Sequence, residues 1–184
     1  DGLHVLIDAG ADVDAKDNDG WTALMWAANA GELRCVKALL AAAPDVNAKT
    51  KSGQSALIHA SFKGHDACLS ALIAAGASVN AKDNDGRTAL AIAAGAAPID
   101  ASDCGRTACV KLLIDAGADV NAKDKYGDTA LTAASYEGDT TSVKALIDAG
   151  ADSNVKNARG NTALRLAKDH PGIASILTAV GARE

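Results

Sequence analysis

The sequence predicts an all-α solenoid, a curved stack of helix–turn–helix units joined by hairpin turns. Three observations predict it. One glycine phrase recurs at a fixed period, a second phrase closes each unit in register with it, and helical spacing of apolar residues fills the interval. The glycines are Gly20, Gly53, Gly86, Gly127 and Gly160, separated by 33, 33, 41 and 33 residues. They sit in DNDGWTAL (17–24), TKSGQSAL (50–57), DNDGRTAL (83–90), DKYGDTAL (124–131) and NARGNTAL (157–164). The closing phrases are GADVDAK (10–16), APDVNAK (43–49), GASVNAK (76–82), GADVNAK (117–123) and GADSNVK (150–156). A single unit of this size cannot bury its apolar faces alone, so its neighbours must cover them.

Each element follows from local chemistry. In the unit 17–49, Leu24 with Ala27 and Ala28 marks a first helix; Val36, Leu39 and Leu40 mark a second at i, i+3, i+4. Thr22 precedes the first helix, where its hydroxyl can accept from an orphan backbone N–H, and Ser55, Thr88, Thr129 and Thr162 stand in the same place. Glycines at 31, 64 and 138 separate the helices, and those at 10, 76, 117 and 150 end the second helix with a left-handed cap. Asp19-Gly20 and Asp85-Gly86 are turn formers. Asn47, Asn80, Asn121 and Asn154 recur in the closing phrase and are expected to bond turn backbone. The full units are 17–49, 50–82, 83–123 and 124–156. The third carries eight extra residues near 97–104 (APIDASDC), read as a loop insertion between its helices. Residues 157–184 form a shortened capping unit, with Leu164, Ala167, Ile173, Ile176 and Leu177 inside and Arg165, Lys168, Asp169 and His170 outside. Residues 1–16 match only the second half of a unit. Either the natural chain continues upstream or this half-unit caps the stack.

These phrases at this period resemble the ankyrin repeat family, over the whole of 1–184. The family's TPLH phrase reads here TALM, SALI, TALA, TALT and TALR, keeping Thr or Ser and Leu but not Pro and His. The resemblance implies a single ankyrin-repeat domain. It also implies a scaffold that holds a partner protein in a concave groove lined by hairpin tips and first helices. The alternative is a regulatory or substrate-positioning module of a larger enzyme or signalling protein.

Composition and charge narrow the classes of partner. Hydrophobic residues make up 48% but aromatics only 3%, so the core must be built from Ala, Leu, Val and Ile. The net charge of −5 disfavours nucleic acid, whose binding needs a basic face. No run of eighteen apolar residues is present, so no membrane-spanning helix is expected. The chain begins at Asp1 and not at Met, so the lack of a signal-peptide pattern does not decide its compartment; its four cysteines form no disulfide framework, which favours a reducing, cytoplasmic one, and a monomer is expected.

No catalytic, cofactor or metal constellation is read. Cys35, Cys68 and Cys109 occupy one repeated slot before a core aliphatic, so they are expected to be buried. Packed helices lie about 8–10 Å apart, too far for neighbouring copies to form a disulfide. Cys104 lies in the insertion with no basic neighbour to activate it. His4, His59, His65 and His170 show no metal-ligand spacing. His65 is expected to be structural and His59 to lie on the exposed side of its helix.

The five aromatics are the informative group. Trp21 and Tyr126 flank the hairpin glycines, Trp26 lies one residue before Ala27, and Phe62 and Tyr136 share a slot near the end of the first helix. None falls in a slot the pattern assigns to the core. In the implied architecture all five face a partner, and such rings anchor interfaces with large area and few rotors. The expected partner-binding set is Trp21, Trp26, Phe62, Tyr126 and Tyr136 with Lys63, Arg87, Asp128 and Glu137. Asp19, Lys51, Gln54, Asp85 and Lys125 should join the rim, whose mixed signs predict a mixed polar border.

Overall fold

The computed structural model of the chain describes residues 2–95 and 103–184. A lone helix α1 (Gly2–Asp8) precedes four helix pairs. These are α2 (Ala23–Ala30) with α3 (Leu33–Ala41), α4 (Ala56–Lys63) with α5 (Asp66–Ala74), α6 (Ala89–Gly95) with α7 (Asp103–Asp115), and α8 (Ala130–Glu137) with α9 (Thr140–Asp148). The chain ends in α10 (Ala163–Leu166), a 3-10 turn (Ala167–Asp169) and α11 (Pro171–Ala179). First helices pack on first helices, α2 to α4 to α6 to α8 to α10, and second helices on second, α1 through α11. The result is a two-layer all-α stack with no named strand among the described residues.

The expected local chemistry is in place. Thr22, Ser55, Thr88, Thr129 and Thr162 each accept from the backbone N–H three residues on. Between the layers, Leu24, Leu57, Leu90 and Leu131 from the first helices meet Leu39, Leu72, Leu113 and Leu146 from the second, all buried. Each such side chain contributes roughly 1.5–3 kcal/mol relative to exposure. Most of these sites abut two units, so the core is continuous along the stack.

Two hydrogen-bond ladders lock the units in register. At the hairpins, Lys51 N–H donates to the Asp19 carbonyl, Asn84 to Ser52, Lys125 to Asp85 and Ala158 to Tyr126. The hairpins approach so closely that a Cβ on Gly53 (φ +81°) would lie 2.8 Å from the Asn84 backbone nitrogen. At the opposite ends, Asn80 Nδ2 donates to the Gly117 carbonyl at 3.2 Å while its Oδ1 accepts from Asp119 N–H at 2.8 Å. Asn47 and Asn121 repeat this two-way bond to the next unit. The recurrent lysines also cross between units: Lys49 Nζ donates to the Lys82 carbonyl and Lys82 Nζ to that of Lys123, each at 2.8 Å.

Three findings differ from, or add to, the expectations. Most of the expected loop 97–104 lies outside the described residues, but Asp103 and Cys104 already belong to α7. That helix starts one turn before its counterparts because Gly105 permits it: a Cβ there would sit 2.4 Å from the Gly64 carbonyl oxygen. Ala43 stands where the other closing phrases have Gly, and it adopts φ +53° all the same. The cysteine slot is buried at Cys68 and Cys109 but only half-buried at Cys35, nearer the end of the stack. All three thiols are free. Burial pushes the Cys109 thiol up to about 12 and raises that of Cys68, so both are unreactive as thiolates.

Candidate functional site

The first helices and hairpins enclose one side of a concave groove of about 820 Å3. Its walls come from a few repeat slots read down the stack. The residue after the hairpin glycine supplies Trp21, Gln54, Arg87, Asp128 and Asn161. The slot near the end of the first helix supplies Asn29, Phe62, Gly95 and Tyr136, and the slot three residues earlier supplies His59, Ile92, Ala133 and Leu166. The middle of the groove is low because Ala91, Gly95 and Ala133 are small. Gly95 is required there, since its Cβ would lie 2.6 Å from that of Ala133. Phe62 and Tyr136 rise on either side, 48% and 65% exposed.

Six of the nine expected site residues line this groove: Trp21, Phe62, Arg87, Asp128, Tyr136 and Glu137. Trp26, Tyr126 and Lys63 lie beside it. Trp26 is exposed and stacks on Trp21 with ring centroids 4.4 Å apart, while its indole N–H donates to Asp17 at 3.3 Å. Tyr126 is exposed at its hairpin, with Lys125 Nζ 4.9 Å from its ring centroid. Lys63 Nζ lies 5.6 Å from the Phe62 centroid. The backbone N–H of Trp21 donates to Asp17, and this bond is the main reason that carboxyl titrates below its usual range.

His59 departs from its expectation. It is buried, not exposed, and its ring stacks on Trp21 with centroids 4.0 Å apart. Three rings therefore form a column, Trp26 outermost and His59 innermost. His59 Nε2 has no hydrogen-bond partner, and burial lowers the imidazole to about 4, so the ring is neutral at physiological pH. The same slot holds Trp26, Ile92, Ala133 and Leu166 in the other units, which marks it as an apolar position. Comparison with those copies was the signal available in the sequence.

His65 and His170 are structural. His65 Nε2 donates to the Asn29 carbonyl at 3.2 Å, and its ring packs where a Cβ on Gly31 would sit. His170 does the same with Tyr136 and Gly138, so it belongs to the packing and not to the charged outer cap. In the third unit Arg106 takes this place, against Gly64.

The charges in the groove are unequally committed. Arg87 is held by Asp83, whose side chain is 1% exposed, through Nε at 3.0 Å and Nη2 at 2.8 Å. Asp85 lies 3.3 Å from the same guanidinium and receives Lys125 Nζ at 2.5 Å. That contact lowers Asp85 and raises Lys125 from their usual ranges. Asp128 Oδ1 accepts from Asn157 Nδ2 at 2.8 Å and from the Thr132 hydroxyl at 3.3 Å, and among the described residues it forms no ion pair. Glu137 stands at the edge of the groove, where it also lines a second hollow with Arg106 and Lys111.

Among the described residues, no group of three or more His, Cys, Asp or Glu could hold a metal ion, and no helix is long and apolar enough to cross a membrane. The family model for ankyrin repeats, described as three copies, matches residues 1–83, 42–101 and 96–183. That family is a non-catalytic module. No curated protein matched the chain.

Proposed function

This chain belongs to the ankyrin repeat family, whose repeats are protein-interaction modules, and on that premise we propose that it is a scaffold holding a partner protein in the concave groove. One observation carries the reading. Slots that hold the units together keep their identity down the stack: the capping Thr or Ser, the Leu after it, and the Asn and Lys of the closing phrase. The slots that line the groove change in every unit, as Trp21, Gln54, Arg87, Asp128 and Asn161 do. Stacking identical units needs identical contacts, whereas gripping one asymmetric partner needs different ones. The rings of Phe62 and Tyr136 stand exposed in that variable lining, and burying aromatic rings of this kind is the usual source of interface affinity. Trp21, Trp26 and Tyr126 would extend the contact toward the hairpins, with Lys63, Arg87, Asp128 and Glu137 as its polar members.

The test is affinity capture from a cell extract with the chain and with a Phe62→Ala, Tyr136→Ala double variant. Because both rings are about half exposed or more, the variant should fold with a circular dichroism spectrum like the parent's. Proteins retained by the parent should be lost, or reduced at least tenfold, with the variant. Equal retention by both would remove the groove from the account.

A further inference from the structure

We propose that the groove's partner is a protein segment with a large apolar side chain and, about 16–20 Å along it, a lysine or arginine. The apolar side chain seats between Trp21 and Phe62, and the cation enters the acidic half whose carboxylates, Asp128 and Glu137, stand at the two ends of α8. The inference rests on the groove being the binding face, and adds the chemistry of what it takes.

The groove is polarised along its length. In its first half the lining residues Trp21, Asn29, Gln54, Ile58, His59 and Phe62 bring no charge, since burial keeps the imidazole neutral. In its second half the lining carboxylates are Asp124, Asp128 and Glu137, and the lining cations are Arg87 and Arg159. The composition alone looks balanced, but the ion pairs break the balance. Arg87 is bound to Asp83 and Asp85, and Lys125 to Asp85, so neither cation is left to neutralise Asp128 or Glu137. Arg159 is then the one lining cation, among the described residues, without a carboxylate partner, facing three lining carboxylates. An acidic segment or a nucleic-acid backbone would place anions against this surplus, and an uncharged one would leave it uncompensated. A lysine or arginine completes it.

The spacing follows from the stack. The uncharged site centres on α4 and the carboxylates on α8, with α6 between them. Two helix spacings of 8–10 Å give about 16–20 Å. That is about five to six residues of extended chain or about eleven to thirteen of helix. The low floor at Ala91 and Gly95 leaves room for the backbone to cross from one site to the other.

The test is a selection of random 16-residue peptides displayed on phage against the immobilised full chain, followed by binding of synthesised winners to three variants. The expected winners carry a Trp, Phe, Leu or Met and a Lys or Arg at one of the two separations. Their affinity should fall about tenfold in Asp128→Asn, Glu137→Gln. It should not change in Asp115→Asn, Asp148→Asn, which removes the same charge from exposed second-helix positions. Winners without a basic preference, or equal weakening by both charge variants, would overturn the proposed chemistry while leaving the groove intact if Phe62→Ala, Tyr136→Ala still abolishes binding. Winners indifferent to that ring variant, or no winners at all, would overturn both.

Discussion

Replacing His59 with Leu should stabilise the protein, and the gain should grow as the pH falls. The unpartnered Nε2 costs about 1–3 kcal/mol. The stack of the ring on Trp21 returns about 1 kcal/mol, so His59→Leu should gain about 1 kcal/mol at pH 7.5. Leu is chosen because Leu166 and Ile92 occupy the same slot in other units. The pH term is separate. Burial lowers the folded imidazole to about 4 from the ordinary 6.5, so on acidification the unfolded chain takes up the proton first. The stability that depends on a neutral ring is complete above about pH 6.5. It drains away as the pH falls toward 4 and is lost in full below it. Integrating between the two values gives a wild-type deficit of about 1.4 kcal/mol at pH 5.5 and about 2.6 kcal/mol at pH 4.5. The variant lacks this term, while carboxylates elsewhere act on both proteins alike and cancel in the difference. Urea unfolding followed by circular dichroism at pH 7.5, 5.5 and 4.5 reads that difference directly. Parallel decline of the two proteins over this range would refute both the burial of the ring and the reasoning built on it.

Two further outcomes follow from the backbone and the thiols. Ala43→Gly should raise Tm by about 2 °C, because a left-handed Ala costs about 1–2 kcal/mol and the greater freedom of unfolded Gly returns only part of the gain; a lower Tm in differential scanning calorimetry would count against the φ of +53°. Cys68 and Cys109 should resist a thiol reagent at pH 8 in the folded protein and react once urea unfolds it, since both are buried with thiols raised above their usual range; quantitative mass spectrometry of the labelled peptides distinguishes them from Cys35.

The stack was legible because periodicity reports what is the same in every unit, and the contacts between units must be the same. Thr22 and its four counterparts, the hairpin glycines, and the aliphatic slots all do what their recurrence predicted. The closing-phrase asparagines bond turn backbone as expected, but that of the following unit, because a repeat seen alone does not show what its neighbour offers. His59 was misplaced by reading its helix in isolation. Its slot holds apolar residues in the other units but is exposed at Trp26; at His59 the Trp21 ring stacked on the imidazole helps to cover it, and its Nε2 is left without a partner. The insertion was misread in part for a similar reason: Asp103 and Ser102 look like loop residues, yet Asp103 opens α7, and Gly105 lets that helix pass close to Gly64.

The candidate site was legible only in outline, and the reason lies in what a repeat conceals. Residue types could be assigned to the groove face from the period, which is why Trp21, Phe62, Tyr136 and Glu137 were placed there. The state of each charge could not, because it depends on contacts between hairpins that are distant in sequence. Lys125 and Asp85 are 40 residues apart, yet they meet at the edge of the groove. That one contact, with the grip of Asp83 on Arg87, turns an apparently mixed rim into an acidic half. Charge counting along the chain weighs Arg87 and Lys125 equally with Arg159, whereas a partner approaching the groove meets only the charges that the hairpins have not already matched. Breaking the hairpin pair should therefore act at a distance. Asp85→Asn would release Lys125 toward the groove and reduce its acidity by one carboxylate without touching Asp128 or Glu137. A basic peptide selected on the parent should bind this variant severalfold more weakly. Unchanged binding would mean that the carboxylates beside Tyr136 act alone.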